Sequence, residues 1–268
     1  MRTARVGARS ELGIVQPAGI LDAMERTTLY YMPYSPWSHK TRFALRHHKL
    51  ALHEHAYTPL IDEPALRLRL RKWSGRVTVP ILFAPDRTLT DSWDIVDYAD
   101  RHGSGNPLIP TTAREQVADW NAASERLLGA SRYCTMLRAL EAPEVLLDVV
   151  PKPVASLLGR RGALISARLF NAKYKIRASE RPRNLHIMRE ELSRLRGALA
   201  DGRRYLLGEL SYADVAMSIA LMMLGFLHGE TVLGPRRLSV ETDLVEEHAD
   251  LLAWRDAFHA QHPLLSTN

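Results

Sequence analysis

Hydrophobic positions in the first part of the chain alternate between strand-like and helical spacing. Thr27–Met32 is short, β-branched and aromatic, and Leu50–Tyr57 alternates apolar with polar residues, so each predicts a strand. Between them, Pro36–His48 has apolar residues near helical spacing, which predicts an amphipathic helix with its Lys and Arg side chains on the other face. The same reasoning then predicts a helix over Asp62–Lys72, a strand over Thr78–Ala84, a short strand at 88–90 and a helix over Asp91–Gly103.

This order predicts a fold with two parts. A βαβ unit followed by a hairpin and a helix makes an α/β layer, and no strand pattern returns after it. Long helical stretches follow instead, over Ala113–Leu140, Glu144–Leu158, Leu164–Ala178, Leu185–Ala200, Ser211–His228 and Leu244–Ala260. We therefore predict an α/β domain over residues 27–103, a linker over 104–112 and an all-α domain over 113–268.

Residues 1–26 show no clear period and are predicted to be a disordered extension or a non-native leader. Their early part is rich in arginine and poor in acidic residues, which faintly suggests a transit peptide. A second methionine, Met24, stands just before the first predicted strand. We favour a disordered extension or an over-long gene start over a transit peptide.

Composition narrows the functional classes. The single cysteine, Cys134, excludes an internal disulfide framework and a multi-cysteine zinc site, and it favours a reducing, cytoplasmic setting. The longest apolar stretch, Val215–Leu227, is too short for a membrane span and predicts a buried helix. The formal charge of +6 comes from scattered arginines without interleaved aromatic residues, so we expect no nucleic-acid partner.

Metal binding finds little support in the sequence. His53 and His55 share one face of the second predicted strand, but no third ligand can be identified. We therefore expect no metal, and surface or packing roles for these histidines. Cys134 on a helical apolar face predicts a small core residue, with a place beside a ligand pocket as the alternative.

Ser35 precedes a helix whose first residue is Pro36. Serine is a favoured N-cap and proline suits the first helical position, so capping alone would explain this pair. The alternative is that the positive end of the helix, with its free N–H groups, holds an anion such as a thiolate. The residues themselves leave both interpretations open.

Two further segments have the same double meaning. Pro80 stands inside a predicted strand, and a cis Val79–Pro80 bond would leave the Val79 N–H and C=O free to pair with an extended peptide. Asp91 and Ser92 begin the next helix, where they are either caps or the groups that bind an amino-acid head.

The order of these motifs resembles the cytosolic glutathione S-transferase family, whose N-terminal domain is thioredoxin-like with a mixed four-stranded sheet. "SPWSHKTRFAL" resembles the catalytic serine or cysteine segment, "SGRVTVPILF" the segment that holds the cis-proline, and "LTDSWDIVDYADRHG" the acid-Ser motif. "YLLGELSYADVAMSIAL" is similar to the capping-box helix of the second domain, with Ser211 capping and Asp214 reaching back. Serine-type bacterial transferases near the β-etherases are the nearest resemblance.

The resemblance implies roles for particular residues. Ser35 would face the sulfur of glutathione, with Ser38 and Tyr34 as runners-up, and Tyr30 and Tyr31 ranked lower. The glutathione-binding residues would be Val79, Pro80, Asp91 and Ser92. Glutathione would be a co-substrate, its partner a small hydrophobic electrophile bound by the helical domain, and the enzyme a cytoplasmic homodimer without a metal.

Two alternatives stand beside conjugation. Glutathione-dependent ether cleavage or thiol exchange usually prefers a cysteine at position 35, so Ser35 counts against it. A non-catalytic binding protein could keep the same fold, since fold does not fix function. The joint presence of Ser35, Pro80, Asp91 and Ser92 favours an enzyme.

Overall fold

The described chain forms a small mixed sheet with helices around it and a helical part that follows. The structure is a computed structural model that describes residues 27–59, 61–141, 175–224 and 242–263, with residues 159, 161–165, 168, 171 and 172. The strands are β1 Thr28–Tyr31, β2 His53–Ala56, β3 Ile81–Phe83 and β4 Thr88–Leu89. The helices are α1 Pro36–His47, α2 Glu63–Leu70, α3 Ser92–His102, α4 Arg114–Glu141, α5 Arg181–Ala198, α6 Tyr212–Leu221, α7 Thr242–Glu247 and α8 Ala249–Gln261.

The four strands are ordered β2-β1-β3-β4, with β1 and β2 parallel and the other pairs antiparallel. Helix α1 is the crossover between the parallel strands. Alternate residues face opposite sides: Leu82 contributes to the core cluster that also contains α1 and α3 residues, whereas Ile81 and Phe83 pack with Leu66 of α2. The predicted thioredoxin-like domain with its mixed four-stranded sheet is therefore confirmed.

One hydrophobic core joins the sheet to the helical part. Leu29 of β1 and Ile95 of α3 belong to the same buried cluster as Tyr212 and Val215 of α6. A second cluster fills the space between α4, α5 and α6, and it contains Cys134 as a small buried residue. Helix α6 is buried at each of its residues, as predicted for its part of the apolar stretch. It ends at Leu221, earlier than the predicted His228, and residues 225–228 of that prediction lie outside the described residues.

The connection between the two parts is held by Asp100 near the end of α3. Its carboxylate accepts hydrogen bonds from the N–H groups of Leu108 at 3.0 Å and Ile109 at 2.6 Å, and it lies 2.5 Å from Nε2 of the buried His48. These contacts hold the pKa of Asp100 below its usual value although burial opposes them. Gly103 lies so close to His48 that a Cβ there would stand 2.3 Å from the His48 Cβ.

Two features of the helices differ from the predictions. Helix α1 has no solvent face along most of its length, because Lys40 and Arg42 are buried as well as its apolar residues. The stretch predicted as one helix over 244–260 is divided at His248, whose backbone leaves the helical conformation and whose ring Nδ1 lies 3.0 Å from the Leu244 carbonyl.

Other predictions fall outside what the structure describes. These are the leader at 1–26, the helix at 144–158 and much of the helix at 164–178. The boundaries at 27–103, 104–112 and 113–268 stay predictions. Among the described helices, none is both long and apolar enough to cross a membrane.

Candidate functional site

Ser35 is the N-cap residue of α1, and its hydroxyl is only weakly engaged. Its backbone is extended, and its Oγ accepts from the Ser38 N–H at 3.5 Å, beyond the usual N–H···O range. The side chain is 9% exposed, and no hydrogen bond among the described residues uses its hydroxyl proton. Ser35 therefore has a donor available at the positive end of a helix whose first turn contains no acidic residue.

Ser38, the first runner-up, is committed to the fold. It is fully buried, and its Oγ accepts a hydrogen bond from the Met32 N–H at 3.0 Å. This bond ties the residue after β1 to the first turn of α1. The geometry thus favours Ser35 over Ser38 as the group that meets a ligand.

The tyrosines near the end of β1 differ in their surroundings. Tyr34 is half-buried in the turn that leads into Ser35, so it remains a runner-up. Tyr30 packs against His55, with ring centroids 4.5 Å apart, and Tyr31 lies under the Arg42 guanidinium at 4.2 Å. The last two have packing environments, and their lower rank stays a prediction.

Val79 and Pro80 lead into β3, and the bond between them is cis, as predicted. Val79 is half-buried and Pro80 is buried. The ladder between β1 and β3 begins only at the Tyr30–Ile81 pair. Among the described residues, no turn or loop hydrogen bond uses the Val79 N–H or C=O.

Asp91 and Ser92 begin α3. Asp91 is the N-cap residue, exposed to solvent, and its carboxylate accepts from the Trp93 N–H at 2.8 Å. Ser92 is buried, at 7% exposure. The capping interpretation of Asp91 is therefore realised, and its exposure leaves the carboxylate accessible to a ligand as well.

The sheet topology brings these three segments together. β1 ends toward Ser35, and because β3 runs antiparallel to β1, its first residue Ile81 and the preceding Val79 lie at the same edge of the sheet. β4 reverses again, so it ends at this edge and leads directly into Asp91 and Ser92. Each segment that the sequence singled out thus lies at one edge of the sheet, the edge formed by the ends of β1 and β4 and the start of β3.

A partly buried ion pair between α1 and α4 was not predicted. Lys40 Nζ in α1 lies 2.7 Å from Ser124 Oγ and 2.7 Å from Glu125 Oε1 in α4. The other oxygen of Glu125 accepts from Trp37 Nε1 at 2.6 Å. Burial lowers the pKa of Lys40, and the charge and hydrogen bond of Glu125 oppose that shift. A helical pattern could not reveal this pair, since its partners are 85 residues apart.

His39 supports the turn that carries Tyr34 and Ser35. Its Nε2 lies 2.7 Å from the Pro33 carbonyl, so this nitrogen is the donor. Burial lowers the pKa of His39 to about 4, although the Pro33 bond opposes that shift. The ring is therefore neutral at pH 7 and acts as a fixed support for the turn.

In the helical part, Ser211 and Asp214 close the start of α6. Asp214 accepts from the Ser211 N–H at 2.9 Å, from the Ser211 hydroxyl at 2.9 Å and from the Leu206 N–H at 2.7 Å. Burial raises the pKa of Asp214, against the effect of these hydrogen bonds. This is the capping-box arrangement, with Asp214 reaching back.

The histidines considered as metal ligands lie apart from one another. His53 is exposed, whereas the His55 ring packs on Tyr30 and lies 3.6 Å from Asp62. Within the described ranges, no group of three or more His, Cys, Asp or Glu side chains is arranged to hold a metal ion.

Known proteins resemble the chain in sequence over the sheet domain and in fold over most of its length. Residues 29–107 match the family described as the glutathione S-transferase N-terminal domain, and no curated protein matches the chain.

Solved structures extend the likeness. A glutathione S-transferase from Methylobacillus flagellatus with glutathione bound is 19% identical, with 89% of this chain and 96% of that one covered at a TM-score of 0.58. A glutathione transferase family member from Pseudomonas fluorescens Pf-5 with bound glutathione is 22% identical, with the same coverage and a TM-score of 0.58. A glutathione S-transferase of Ceriporiopsis subvermispora in complex with glutathione is 20% identical, with 91% and 100% covered at a TM-score of 0.57.

These likenesses concern the fold, and none of the three structures is described as a β-etherase, so that nearer resemblance stays a prediction. Residues 29–107 therefore match the glutathione S-transferase N-terminal domain family, and the chain shares the fold of these solved glutathione transferases.

Proposed function

We propose that the protein is a glutathione transferase that activates the glutathione thiolate for attack on a small hydrophobic electrophile. The observation that carries this proposal is the convergence of Ser35, Val79–Pro80 and Asp91–Ser92 at one edge of the sheet. The similar structures with glutathione bound support the choice of ligand. Glutathione would be the co-substrate, with no metal required.

Each end of glutathione would meet a different element. The Val79 N–H and C=O would pair with the backbone of the cysteinyl residue, as an added strand does. Asp91 would bind the γ-glutamyl ammonium group, and the Ser92 hydroxyl with the first N–H groups of α3 would bind its carboxylate. The cysteinyl sulfur would then lie at the start of α1.

The chemistry follows from the charge at that helix start. An ordinary thiol is mostly protonated at pH 7, and a helix N-terminus lowers its pKa. The Ser35 hydroxyl would donate a hydrogen bond to the sulfur anion. The thiolate would attack an electrophilic carbon, form the C–S bond and displace the leaving group with its electron pair.

The first test is binding and turnover. The purified protein should be retained on glutathione resin, be eluted by free glutathione and conjugate glutathione to an activated aryl halide. Failure of both retention and turnover would reject the proposal. Retention without turnover on a panel of aryl halides, epoxides and enones would favour the non-catalytic binding alternative.

Asp91→Ala should weaken glutathione binding while leaving the fold mostly intact. Loss of a hydrogen bond to a charged group is worth about 1.5–3 kcal/mol, or roughly a ten- to hundredfold loss of affinity. Asp86→Ala is the matched control, because Asp86 is an exposed aspartate in the turn at the opposite edge of the sheet. Calorimetry that gives Asp91→Ala the same affinity as Asp86→Ala would refute the assignment.

The same proposal includes a cytoplasmic homodimer. The lone Cys134 supports a reducing compartment. Ile61, Leu68 and Trp73 are 67%, 64% and 74% exposed around α2, and such apolar side chains are candidates for coverage by a second copy. Sedimentation should therefore give about twice the 30.3 kDa chain mass, and Trp73→Glu should shift it toward the monomer. A monomeric wild type would overturn this part.

A further inference from the structure

The Lys40–Glu125 pair places a buried positive charge within α1, the helix that Ser35 caps. Lys40 is fully buried, whereas the Glu125 side chain is 39% exposed. Taking a charge such as that of Lys40 out of water costs free energy that its partner offsets only in part, so an ion pair with one buried member is weak evidence for a stabilising role. Because the pair lies near the start of α1, where Ser35 is, we consider a functional role for it.

The pair holds the first turns of α1. Glu125 accepts from Trp37 Nε1 through one oxygen and from Lys40 Nζ through the other. One carboxylate of α4 therefore binds two residues of α1. Ser124 adds a second acceptor for Lys40, and its own hydroxyl donates to the Asn121 carbonyl at 2.7 Å. At 1.5 Å of rise per residue, Lys40 lies only about 7.5 Å along the helix axis from Ser35.

The charges of the pair also reach the other end of the candidate site. Lys40 feels the charge of Asp91 through the protein interior. Tyr212 of α6 is fully buried, and its pKa is raised first by burial and then by the charges of Glu125 and Asp91. In such an interior, charges interact more strongly than in water, so the charges of the pair and of Asp91, the residue proposed to bind the γ-glutamyl group, influence one another.

Other charged or titratable groups around the pair are accounted for. On α1 itself, His39 is neutral at pH 7 and Arg42 is paired with Glu54 at 2.7 Å. Arg132 of α4 stacks over Trp37 at 4.9 Å. Among the described residues, the groups that act on the pair or on its contacts include Asp91 at the N-cap of α3, Arg132 over Trp37 and the buried Tyr212 of α6.

We propose that Lys40 and Glu125 are positioning residues whose opposite, fixed charges set how readily the thiol of glutathione bound at Ser35 ionises. This inference rests on the proposed function. Lys40 favours the thiolate and Glu125 opposes it, while the bridge between them keeps α1 in place against α4.

Because the two charges have opposite signs, their removal should shift the ionisation of the bound thiol in opposite directions, which a loss of packing would not do. Lys40→Met removes the positive charge, so the bound thiol should ionise at a higher pH. Glu125→Gln removes the negative charge and keeps an acceptor for Trp37, so the thiol should ionise at a lower pH. Each shift should be roughly half a pH unit, as expected for a charge beyond direct contact. Loss of a purely structural bridge would shift both variants in the same direction or neither.

The measurement is the thiolate absorbance of bound glutathione against pH, in the full-length protein. Asp119→Asn and Arg194→Gln are matched controls, because these residues form an exposed ion pair between α4 and α5. We expect opposite shifts for Lys40→Met and Glu125→Gln, no shift for the controls, and a return toward the wild-type curve in the double variant. Shifts in the same direction, or none, would overturn the proposal.

Two features keep the experiment decisive. If Lys40→Met does not fold, the neutral double variant and Glu125→Gln still test the charge effect, since the double variant should cancel the shift that Glu125→Gln produces. If wild type shows no thiolate absorbance with glutathione, the proposed function fails. If wild type shows it and the variants are unchanged, only the role of Lys40 and Glu125 fails.

Discussion

Two serines begin helices in this protein, and they have opposite surroundings. Ser211 in the helical part is 2% exposed, and its hydroxyl donates to Asp214 at 2.9 Å. Ser35 at the sheet edge is 9% exposed, and its hydroxyl has only the long 3.5 Å contact from the Ser38 N–H. The two N-cap serines therefore differ: the Ser211 hydroxyl is already donated to Asp214, which makes a closed helix start, whereas the Ser35 hydroxyl proton is available, which makes an open one.

The difference comes from the residue three positions later. In α6 this is Asp214, an acid that accepts from the N-cap residue and reduces the positive potential of the helix end. In α1 it is Ser38, whose Oγ already accepts from Met32. Because α1 has no acid in its first turn, its end stays electropositive and the Ser35 proton stays available. A serine N-cap is therefore best judged together with the residue that could satisfy it.

Ser35→Ala should have the largest effect, and the effect should be on rate. If Ser35 donates to the sulfur as an oxyanion-hole group does, its loss should cost about 10²–10³ in turnover. The bound thiol should ionise at a higher pH, and glutathione affinity should fall little, because the lost contact acts on the reacting sulfur. Thiolate absorbance against pH in wild type and Ser35→Ala checks this.

A cysteine at position 35 provides a second test of the same helix start. Ser35→Cys should exchange conjugation for disulfide exchange with glutathione, because a cysteine at a helix start is a low-pKa thiolate. Superimposable absorbance curves for wild type and Ser35→Ala would mean that Ser35 is only a cap, and Tyr34 would become the residue to test.

Asp214→Ala should affect stability instead. It would leave buried donors at Leu206 and Ser211 without their acceptor, at a cost of about 3 kcal/mol in the free energy of unfolding. Thiolate formation in the folded fraction should match wild type. Urea unfolding, with Asp243→Ala at an exposed position of α7 as the control, measures the loss. Equal stability in the two variants would contradict the closed capping box.

Acidification should lower the free energy of unfolding, because the sheet domain and the helical part each contain one buried histidine. Burial lowers the pKa of His39 in α1 and of His259 in α8 to about 4, from an unfolded value of 6.5. Their unfolded forms therefore bind protons first, so stability is complete above pH 6.5 and falls as pH drops toward 4. At pH 5 each histidine should cost about 2 kcal/mol.

A variant pair separates the two histidines. His259→Phe should reduce the fall in unfolding free energy between pH 7 and pH 5 without changing thiolate formation. His39→Phe should reduce the fall too, but it also removes the donor to Pro33 and should slow turnover. If neither substitution changes the fall in unfolding free energy between pH 7 and pH 5, these histidines titrate normally in the folded protein.

The comparison also shows which features a sequence can predict. The order of β1 to α3 followed from residue types and periodicity, because strand and helix patterns are local. Pro80 stood out because it interrupts a strand pattern, and Ser35 and Asp91 because they begin helices, but their roles in a site came from the resemblance of the motif order to a known family. Lys40 could not, since it occupies an ordinary polar position in α1 and its partner Glu125 is brought to it only by the packing of α4. Long-range pairing, such as this ion pair, needs the fold.

Ser211→Ala should have the smallest effect and should complete the contrast with Ser35→Ala. Asp214 would keep its hydrogen bonds from the backbone N–H groups of Ser211 and Leu206, so only the hydroxyl contact is lost. Removal of a serine N-cap costs about 0.5–2 kcal/mol, and turnover should stay at the wild-type value. Ser35→Ala should cost less stability than this, because its 3.5 Å cap contact is long. Urea unfolding and turnover of both variants should therefore give opposite rankings, with Ser211→Ala less stable and Ser35→Ala slower. If both variants lose stability equally and keep full turnover, the two serines are equivalent caps and the distinction between the open and the closed helix start fails.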